Sequence, residues 1–333
     1  MTTHLRWGIL STANINRALI PQMHLSPRSQ LKAVASRNLE KATAYAAQWE
    51  IPQAYGSYEA LLADPDIDAV YISLPNTLHA EWTIAAAKAG KHILCEKPIV
   101  QTVADLDAVQ QAARDNNVHL VEAFANLHHP QQHQVRELVK NGHIGTLRQI
   151  NGWFYFYLGP DRADNIRLSA ALGGGSMWDI GVYSSALSVF YADGGKAPTT
   201  VWGTRILGES GVDTTFTGQM QFANGVSAQI RCGFHNAMRQ GLHLVGDAGV
   251  IKVPKPHNLS GEAETKVIIA DTSGAEETIV FPAKNTYLTE VEAMEASVLD
   301  GTESRLPLSL SREFLRTVLA LQESAQTNSL VHL

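Results

Sequence analysis

Five short apolar runs, at residues 5–10, 31–35, 69–74, 93–95 and 118–123, constrain the first third of this chain more than any other feature. Stretches with helical periodicity stand between them, over 15–24, 39–49, 77–88 and 102–116, with a shorter helix reaching Leu62. Ser57 is placed to cap that short helix, and Thr102 with Asp105 three residues on resembles a capping box. Gly90 closes the helix that ends at Lys88. Residues 69–74 are continuously apolar, as a strand covered on both faces should be. Strand–helix units repeated in this way predict a parallel, doubly wound sheet. In such a sheet ligands bind beyond the carboxyl ends of the strands, so chemistry is sought there.

The period changes near residue 125. A helix over 133–141 precedes a long aromatic strand, 147–158, and the small-residue stretch 176–191 reads as helical. Beyond Thr200 the pattern is strand, turn, strand, with Asn224-Gly225 suiting a primed hairpin turn and further strands at 241–246, 249–253, 265–270 and 277–281. Helices at 287–298 and 309–323 finish the chain. The expectation is two domains. Residues 1–125 form an α/β Rossmann-type parallel sheet, and 126–333 an α+β domain with a predominantly antiparallel open sheet. Helices cover one face of that sheet; the other is wet or buried against a second subunit. In the strand 147–158, one face packs the core while Trp153, Tyr155 and Tyr157 approach a pocket or a subunit interface.

Composition narrows the function. A chain of 333 residues with 45% apolar and 17% charged residues and net charge −6 has an ordinary globular surface. No Lys/Arg stripe favours nucleic acid, no apolar run is long enough for a membrane, and the amino terminus has no signal-peptide pattern. Cys95 and Cys232 read as reduced core thiols of a cytoplasmic protein, and no set of Cys, His, Asp and Glu has the spacing of a metal site.

After the first strand, Ser11-Thr12-Ala13-Asn14-Ile15 offers a small-residue turn at a helix amino terminus, where a pyrophosphate can approach the backbone. Ser11 and Ala13 stand where glycines are usual, and Ser11, Thr12 and Asn14 carry donors for phosphate. The plain alternative is a capped first turn. At the end of the second strand an enzyme preferring NAD places Asp or Glu against the ribose hydroxyls. Here Ser36-Arg37 offers a hydroxyl and a guanidinium, and no carboxylate follows before Glu40. That pair suits the 2′-phosphate of NADP(H). Leu74, Pro75, Asn76 and His79 follow the third long strand and would lie near the middle of the cofactor, although a lone histidine there also reads as a surface or capping residue. Glu96 and Lys97, after the next strand, complete this set.

Lys97, in Cys95-Glu96-Lys97-Pro98, puts a charge at the ligand-binding edge of the sheet; a salt bridge to Glu96 is the structural alternative. Far along the chain, Gly173-Gly174-Gly175-Ser176-Met177-Trp178-Asp179-Ile180-Gly181-Val182-Tyr183 places an acid and a phenol four residues apart, which share a helix face. With these motifs, Pro75-Asn76 with His79, Asn224-Gly225, and Tyr287 with Glu290, the sequence resembles the glucose-fructose oxidoreductase/inositol dehydrogenase/rhizopine catabolism family over nearly its whole length.

The resemblance implies an oxidoreductase of sugars, cyclitols and related compounds, with an open sheet that often forms the subunit interface. It places Lys97 on the family's catalytic lysine and Asp179 on its active-site acid. Tyr183, where many inositol-type members carry histidine, resembles the branch containing dimeric dihydrodiol dehydrogenase and aldose dehydrogenases. Tyr183 would exchange the proton of the reacting oxygen, Lys97 would bind that oxygen and lower the phenol's pKa, and Asp179 would orient substrate hydroxyls or Lys97. The reading is a cytoplasmic NADP(H)-dependent oxidoreductase of a sugar, polyol or cyclic diol, aldose dehydrogenase preferred, acting as a homodimer through the open sheet face. Trans-dihydrodiol dehydrogenase and keto-sugar reductase are the enzyme alternatives; a non-catalytic nucleotide-binding sensor is the third. Leu127 stands where many relatives carry arginine. His128 and His129 read either as substrate contacts or as exposed cap residues, and Arg162 and Arg167 either as binders of an acidic substrate or as a solvated loop.

Overall fold

The computed structural model describes residues 3–162, 164–257, 259 and 263–333. The chain opens with β1 (Leu5–Leu10), α1 (Asn16–Leu25), β2 (Ser29–Ala35), α2 (Leu39–Gln48), β3 (Gln53–Tyr55) and α3 (Tyr58–Leu62). It continues with β4 (Ala69–Ile72), α4 (His79–Lys88), β5 (His92–Glu96), α5 (Val103–Asp115), β6 (Leu120–Ala123) and α6 (Ala125–His128). Then come α7 (Pro130–Lys140), β7 (Leu147–Tyr157), and a π-helical turn, Met177–Gly181, that runs into α8 (Val182–Ala192). The strands β8 (Thr200–Leu207), β9 (Asp213–Gln221), β10 (Ser227–Gly233), β11 (His235–Gly246), β12 (Gly249–Val253), β13 (Thr265–Asp271) and β14 (Glu276–Phe281) follow. Last are α9 (Thr286–Asp300), α10 (Leu308–Thr327) and β15 (Val331–His332).

Two compact units result. One comprises the chain up to His128 together with Asn285–Leu308, the other His129–Lys284 together with Ser309–Leu333. The first thus includes a late segment that the sequence reading grouped with residues 126–333.

In the first unit six strands pair in parallel in the order β3-β2-β1-β4-β5-β6. Strand order reverses between β1 and β4, which makes a switch point at their carboxyl ends. Register brings those ends level: Leu10 lies opposite Ala35 and Ile72, and Ile72 opposite Cys95. Leu5, Trp7, Ile9, Leu19, Ile20 and Met23 form one core with Val291 and Met294 of α9. Burying each aliphatic side chain contributes roughly 1.5–3 kcal/mol before ordering costs. Polar bonds fix the returning helix as well. Ser26 and Ser29 donate to Glu295 at 2.6 and 2.5 Å, and Arg28 forks onto Asp300. The expected caps are present: Ser57 Oγ accepts from Ala60 N, and Thr102 Oγ1 from Asp105 N.

The second unit is a nine-stranded sheet ordered β14-β13-β12-β11-β7-β10-β9-β8-β15. Among the described residues of this sheet only β7 and β10 pair in parallel. Helix α8 lies against β7 and β10, and buried Ser184, Ser185 and Ser188 let it approach closely. The β9–β10 hairpin departs from the expected primed turn. Gly225 is left-handed (φ 89°), but Asn224 is not among the residues with positive φ. Phe222 N donates to Val226 O and Gly225 N to Phe222 O, so the loop is longer than two residues, and a primed Asn-Gly turn needs both central residues left-handed.

Candidate active site

Three residues build the switch point of the first unit. Ser11 adopts φ 134°, a conformation that L side chains rarely take and that glycine usually supplies. Its hydroxyl donates to the Ser73 carbonyl at 3.1 Å and accepts from Ala13 N at 3.1 Å. Asn16 completes the clamp, donating to Ser11 O and accepting from Ser73 Oγ at 2.6 Å. The Ser11 hydroxyl therefore braces the turn, correcting its expected role as a phosphate donor. Thr12 and Ala13 are half-buried and Asn14 is exposed, and no side chain caps the first turn of α1. Such a helix end suits a pyrophosphate.

At the end of β2, Ser36 Oγ accepts weakly from Asn38 N (3.4 Å) and Arg37 is exposed. Burial raises the pKa of the neighbouring Tyr58 phenol, and the Arg37 guanidinium pulls it the other way. Asn38 caps α2, and the exposed Glu40 follows in its first turn. A hydroxyl and a cation at this strand end, with no carboxylate beside them, fit a ribose 2′-phosphate.

Leu74 is buried and Pro75 and Asn76 are half-buried beyond β4. His79 is the correction in this group. It is 0% exposed, with Nδ1 2.8 Å from Pro98 O and Nε2 2.8 Å from Leu74 O. Its ring ties two backbone segments together inside the fold instead of reaching a ligand. Burial pushes its pKa down, and the two carbonyls oppose that shift. Glu96 accepts from the Tyr71 hydroxyl at 2.5 Å. Glu290 of α9 is 1% exposed and, among the described residues, neither of its oxygens has a hydrogen-bond partner. Burial, with the charge of Glu96 second, raises the Glu290 pKa well above the carboxylate range. Lys97, half-buried, follows β5 and joins Pro98 through a cis peptide.

Asp179 and Tyr183 lie in the second unit. Asp179 sits within the π-helical turn and Tyr183 at the start of α8, half-exposed. Such a turn inside a helix recurs at functional sites. Asp213 anchors its entrance: its carboxylate accepts from Ser176 Oγ at 2.6 Å and from Met177 N at 2.7 Å. Gly175 is required beside it, because φ is 120° and a Cβ would stand 2.5 Å from Asp213 Oδ1. Gly174 is packed equally hard, 2.4 Å from Arg167 O to any added Cβ. That contact delivers Arg167 to Asp179, where Nε donates to Oδ2 at 2.6 Å; the acid is 16% exposed and the arginine 41%. So Arg167 is not simply a solvated loop residue.

Tyr183 packs on Phe154 and His257, with ring centroids 6.0 and 5.7 Å away. The guanidinium of Arg167 lies over Phe156, 5.9 Å from its centroid. Phe154 and Phe156, not Trp153, Tyr155 and Tyr157, are thus the aromatics of β7 beside the acid and phenol. His128 and His129 are both buried, which removes the exposed-cap alternative, although His129 Nδ1 does cap α7 by accepting from Gln131 N. Among the described residues no group of three His, Cys, Asp or Glu is placed to hold a metal ion.

Residues 5–124 match the family described as "Oxidoreductase family, NAD-binding Rossmann fold", and 132–252 match the "GFO/IDH/MocA C-terminal domain". The chain belongs to the glucose-fructose oxidoreductase/inositol dehydrogenase/rhizopine catabolism family. A D-xylose 1-dehydrogenase (NADP(+)) of Haloferax volcanii is 37% identical over 99% of this chain and 100% of its own. Trans-1,2-dihydrobenzene-1,2-diol dehydrogenase of Xenopus laevis is 33% identical over 75% of each chain. A 3-ketoreductase of Actinomadura kijaniata, solved with NADP and TDP-benzene, superimposes with TM-score 0.89 at 28% identity, covering 96% of this chain and 98% of that one. The same ketoreductase was also solved with one lysine replaced and with one tyrosine replaced by phenylalanine.

Sequence reasoning missed Asn16 and Ser73 as the brace of the first turn, Asp213 at the entrance of the π turn, and Phe154 and His257 around Tyr183. Asp213 follows Ser176 by 37 positions and His257 follows Ser184 by 73, so no local spacing could have disclosed them.

Proposed function

We propose that the chain is an NADP(H)-dependent oxidoreductase interconverting hydroxyl and carbonyl groups on a sugar, polyol or cyclic diol, with oxidation of an aldose as the preferred reaction. The observation that carries this reading is the pairing of two features. A dinucleotide fold ends its second strand in Ser36-Arg37, and the second unit presents a half-exposed phenol, Tyr183, one turn after an ion-paired acid. The match to a xylose dehydrogenase over the full length of both chains supports the aldose.

When bound, the nicotinamide accepts or supplies the hydride. Thr12, Ala13, Asn14 and Ile15 receive the pyrophosphate, Ser36 and Arg37 the 2′-phosphate, and Leu74, Pro75, Asn76 and Glu96 line the middle of the cofactor. In oxidation the Tyr183 hydroxyl, as phenolate, takes the proton of the substrate alcohol; in reduction it returns one to the carbonyl oxygen. By the family resemblance, Lys97 would bind that oxygen and favour the ionised phenol by its charge. Asp179, held by Arg167, orients a neighbouring substrate hydroxyl.

We further propose a cytoplasmic homodimer. Two free buried thiols suit a reducing compartment, and among the described residues no helix is long and apolar enough to cross a membrane. One face of the second sheet carries the cross-strand rows Trp202–Gln219–Gln229–Asn151–His243 and Thr204–Thr217–Arg231–Trp153–Gly241. Half-exposed tryptophans set among polar residues suit a self-complementary interface.

The test is a paired titration with NADPH and NADH by quenching of tryptophan fluorescence, followed by turnover on aldoses, polyols and a trans-dihydrodiol. Preference for NADPH with turnover of an aldose is expected. Turnover of the dihydrodiol alone would replace the substrate; tight binding with no turnover would favour a sensor.

A further inference from the structure

We infer that His257 is a positioning residue for Tyr183, forming with Phe154 the seat that holds the phenol in its reactive orientation. The inference rests on the catalytic role proposed above for Tyr183. His257 is 4% exposed and stacks on Phe154, with ring centroids 5.1 Å apart and planes 17° from parallel. Both rings touch Tyr183, so the phenol rests on a two-ring platform. A hydrogen bond of 3.3 Å between His257 Nε2 and Ser184 Oγ ties the platform to the residue next to Tyr183 on the same helix.

The segment that presents His257 is itself fixed. Its backbone N–H donates to Gln240 Oε1 at 3.1 Å. Two fully buried amides of α7 hold the residues before it: Gln131 donates to Lys255 O at 3.0 Å and Gln132 to Pro256 O at 2.5 Å. Sheet, helix and loop therefore meet at the phenol through side chains with little freedom. Among the described residues, the rings of Phe154 and Tyr183 and the Ser184 hydroxyl lie against the imidazole. Burial pushes its pKa down to about 3, with the Trp153 backbone pulling weakly upward. At working pH the ring is neutral, so it supports the phenol as an aromatic surface. A reacting group displaced by about 1 Å loses rate by about 100-fold, which is the scale on which a seat matters.

The experiment compares Tyr183→Phe, His257→Ala, His257→Gln and His257→Phe, using NADP⁺ and the aldose turned over fastest. Tyr183→Phe comes first; full turnover in that variant would remove the catalytic reading of Tyr183 and this inference with it. With Tyr183→Phe inactive, His257→Ala is expected to lower kcat by about 10- to 100-fold while KM for NADP⁺ changes less than about twofold. His257→Phe, which keeps a ring, should recover kcat to within about fivefold of wild type, with both limbs of the pH profile unmoved. His257→Gln keeps a polar group without the ring and should fall with alanine; it carries the same test if His257→Ala does not fold. Wild-type kcat in His257→Ala or His257→Gln would overturn the inference and leave the proposed function standing. So would a His257→Phe variant as slow as alanine with one pH limb lost, since the ring would then be acting through its nitrogen.

Discussion

Arg37 stands exposed at the carboxyl end of β2, where its charge is worth most to a ligand carrying the opposite one. Hydrogen bonds to charged groups contribute roughly 1.5–3 kcal/mol. Arg37→Ala should therefore weaken NADPH binding by about 10- to 100-fold and NADH binding by less than about threefold. Equal losses in the two titrations would remove the 2′-phosphate from the account. Glu290 poses the opposite problem, a buried acid beside another acid. Its folded pKa lies above the unfolded value of about 4.3, so the folded state keeps a proton that the unfolded chain releases. The stability it contributes is complete below the unfolded pKa and is lost as pH rises toward the folded one. Glu290→Gln, neutral throughout, should raise Tm relative to wild type at pH 8 more than at pH 5, by a shift on the order of 2–4 °C for each 1 kcal/mol recovered. A Tm difference that is flat between those pH values would show that Glu290 ionises normally. The position of Arg37 at a strand end and of Tyr183 on a helix was legible in the sequence, because strand ends and helices are local features. Glu290 was visible only as part of a motif, since its partner Glu96 lies on a strand almost two hundred residues earlier.

The element that places the acid and phenol is the π-helical turn leading into α8, and its entrance depends on Gly175 against Asp213. Gly175→Ala would put a methyl group into the Asp213 carboxylate and force alanine to φ 120°. The expected cost is about 1–3 kcal/mol, read as a lower urea midpoint at unchanged slope, together with a fall in kcat as Tyr183 moves. A variant with wild-type midpoint and kcat would mean that the clamp is not needed. Other elements show where local reading stops. Helices announced themselves through caps such as Ser57 and Thr102, because a cap bonds within its own turn. The π turn did not, because its register follows from what Asp213 holds at its entrance and Arg167 at its middle, and both are remote from it in sequence or in pattern.

At the scale of the molecule, the proposed homodimer rests on the open face of the nine-stranded sheet. Helices α8 and α10 pack against its other face, through Ser184 beside Gly152 and Leu321 beside Gly218. Light scattering at micromolar concentration is expected to give twice the chain mass of 36.2 kDa. Trp153→Glu with Arg231→Glu, neighbours across β7 and β10, should shift it to the monomer without unfolding the chain. A wild-type monomer would count against the interface, as would an unchanged dimer in the double variant.

The sequence by itself determined the parallel sheet, the strand ends that face a dinucleotide, the change of architecture near residue 125 and the family. Each follows from periodicity or from short motifs, which backbone geometry converts directly into position. The tertiary structure alone decided that Ser11 braces its own turn, that His79 and His128 are interior, that 285–308 packs with the first unit, and that Phe154 and His257 support Tyr183. Those outcomes depend on contacts between residues far apart in the chain. What a side chain does there is set by what the fold brings against it and how much water that contact removes.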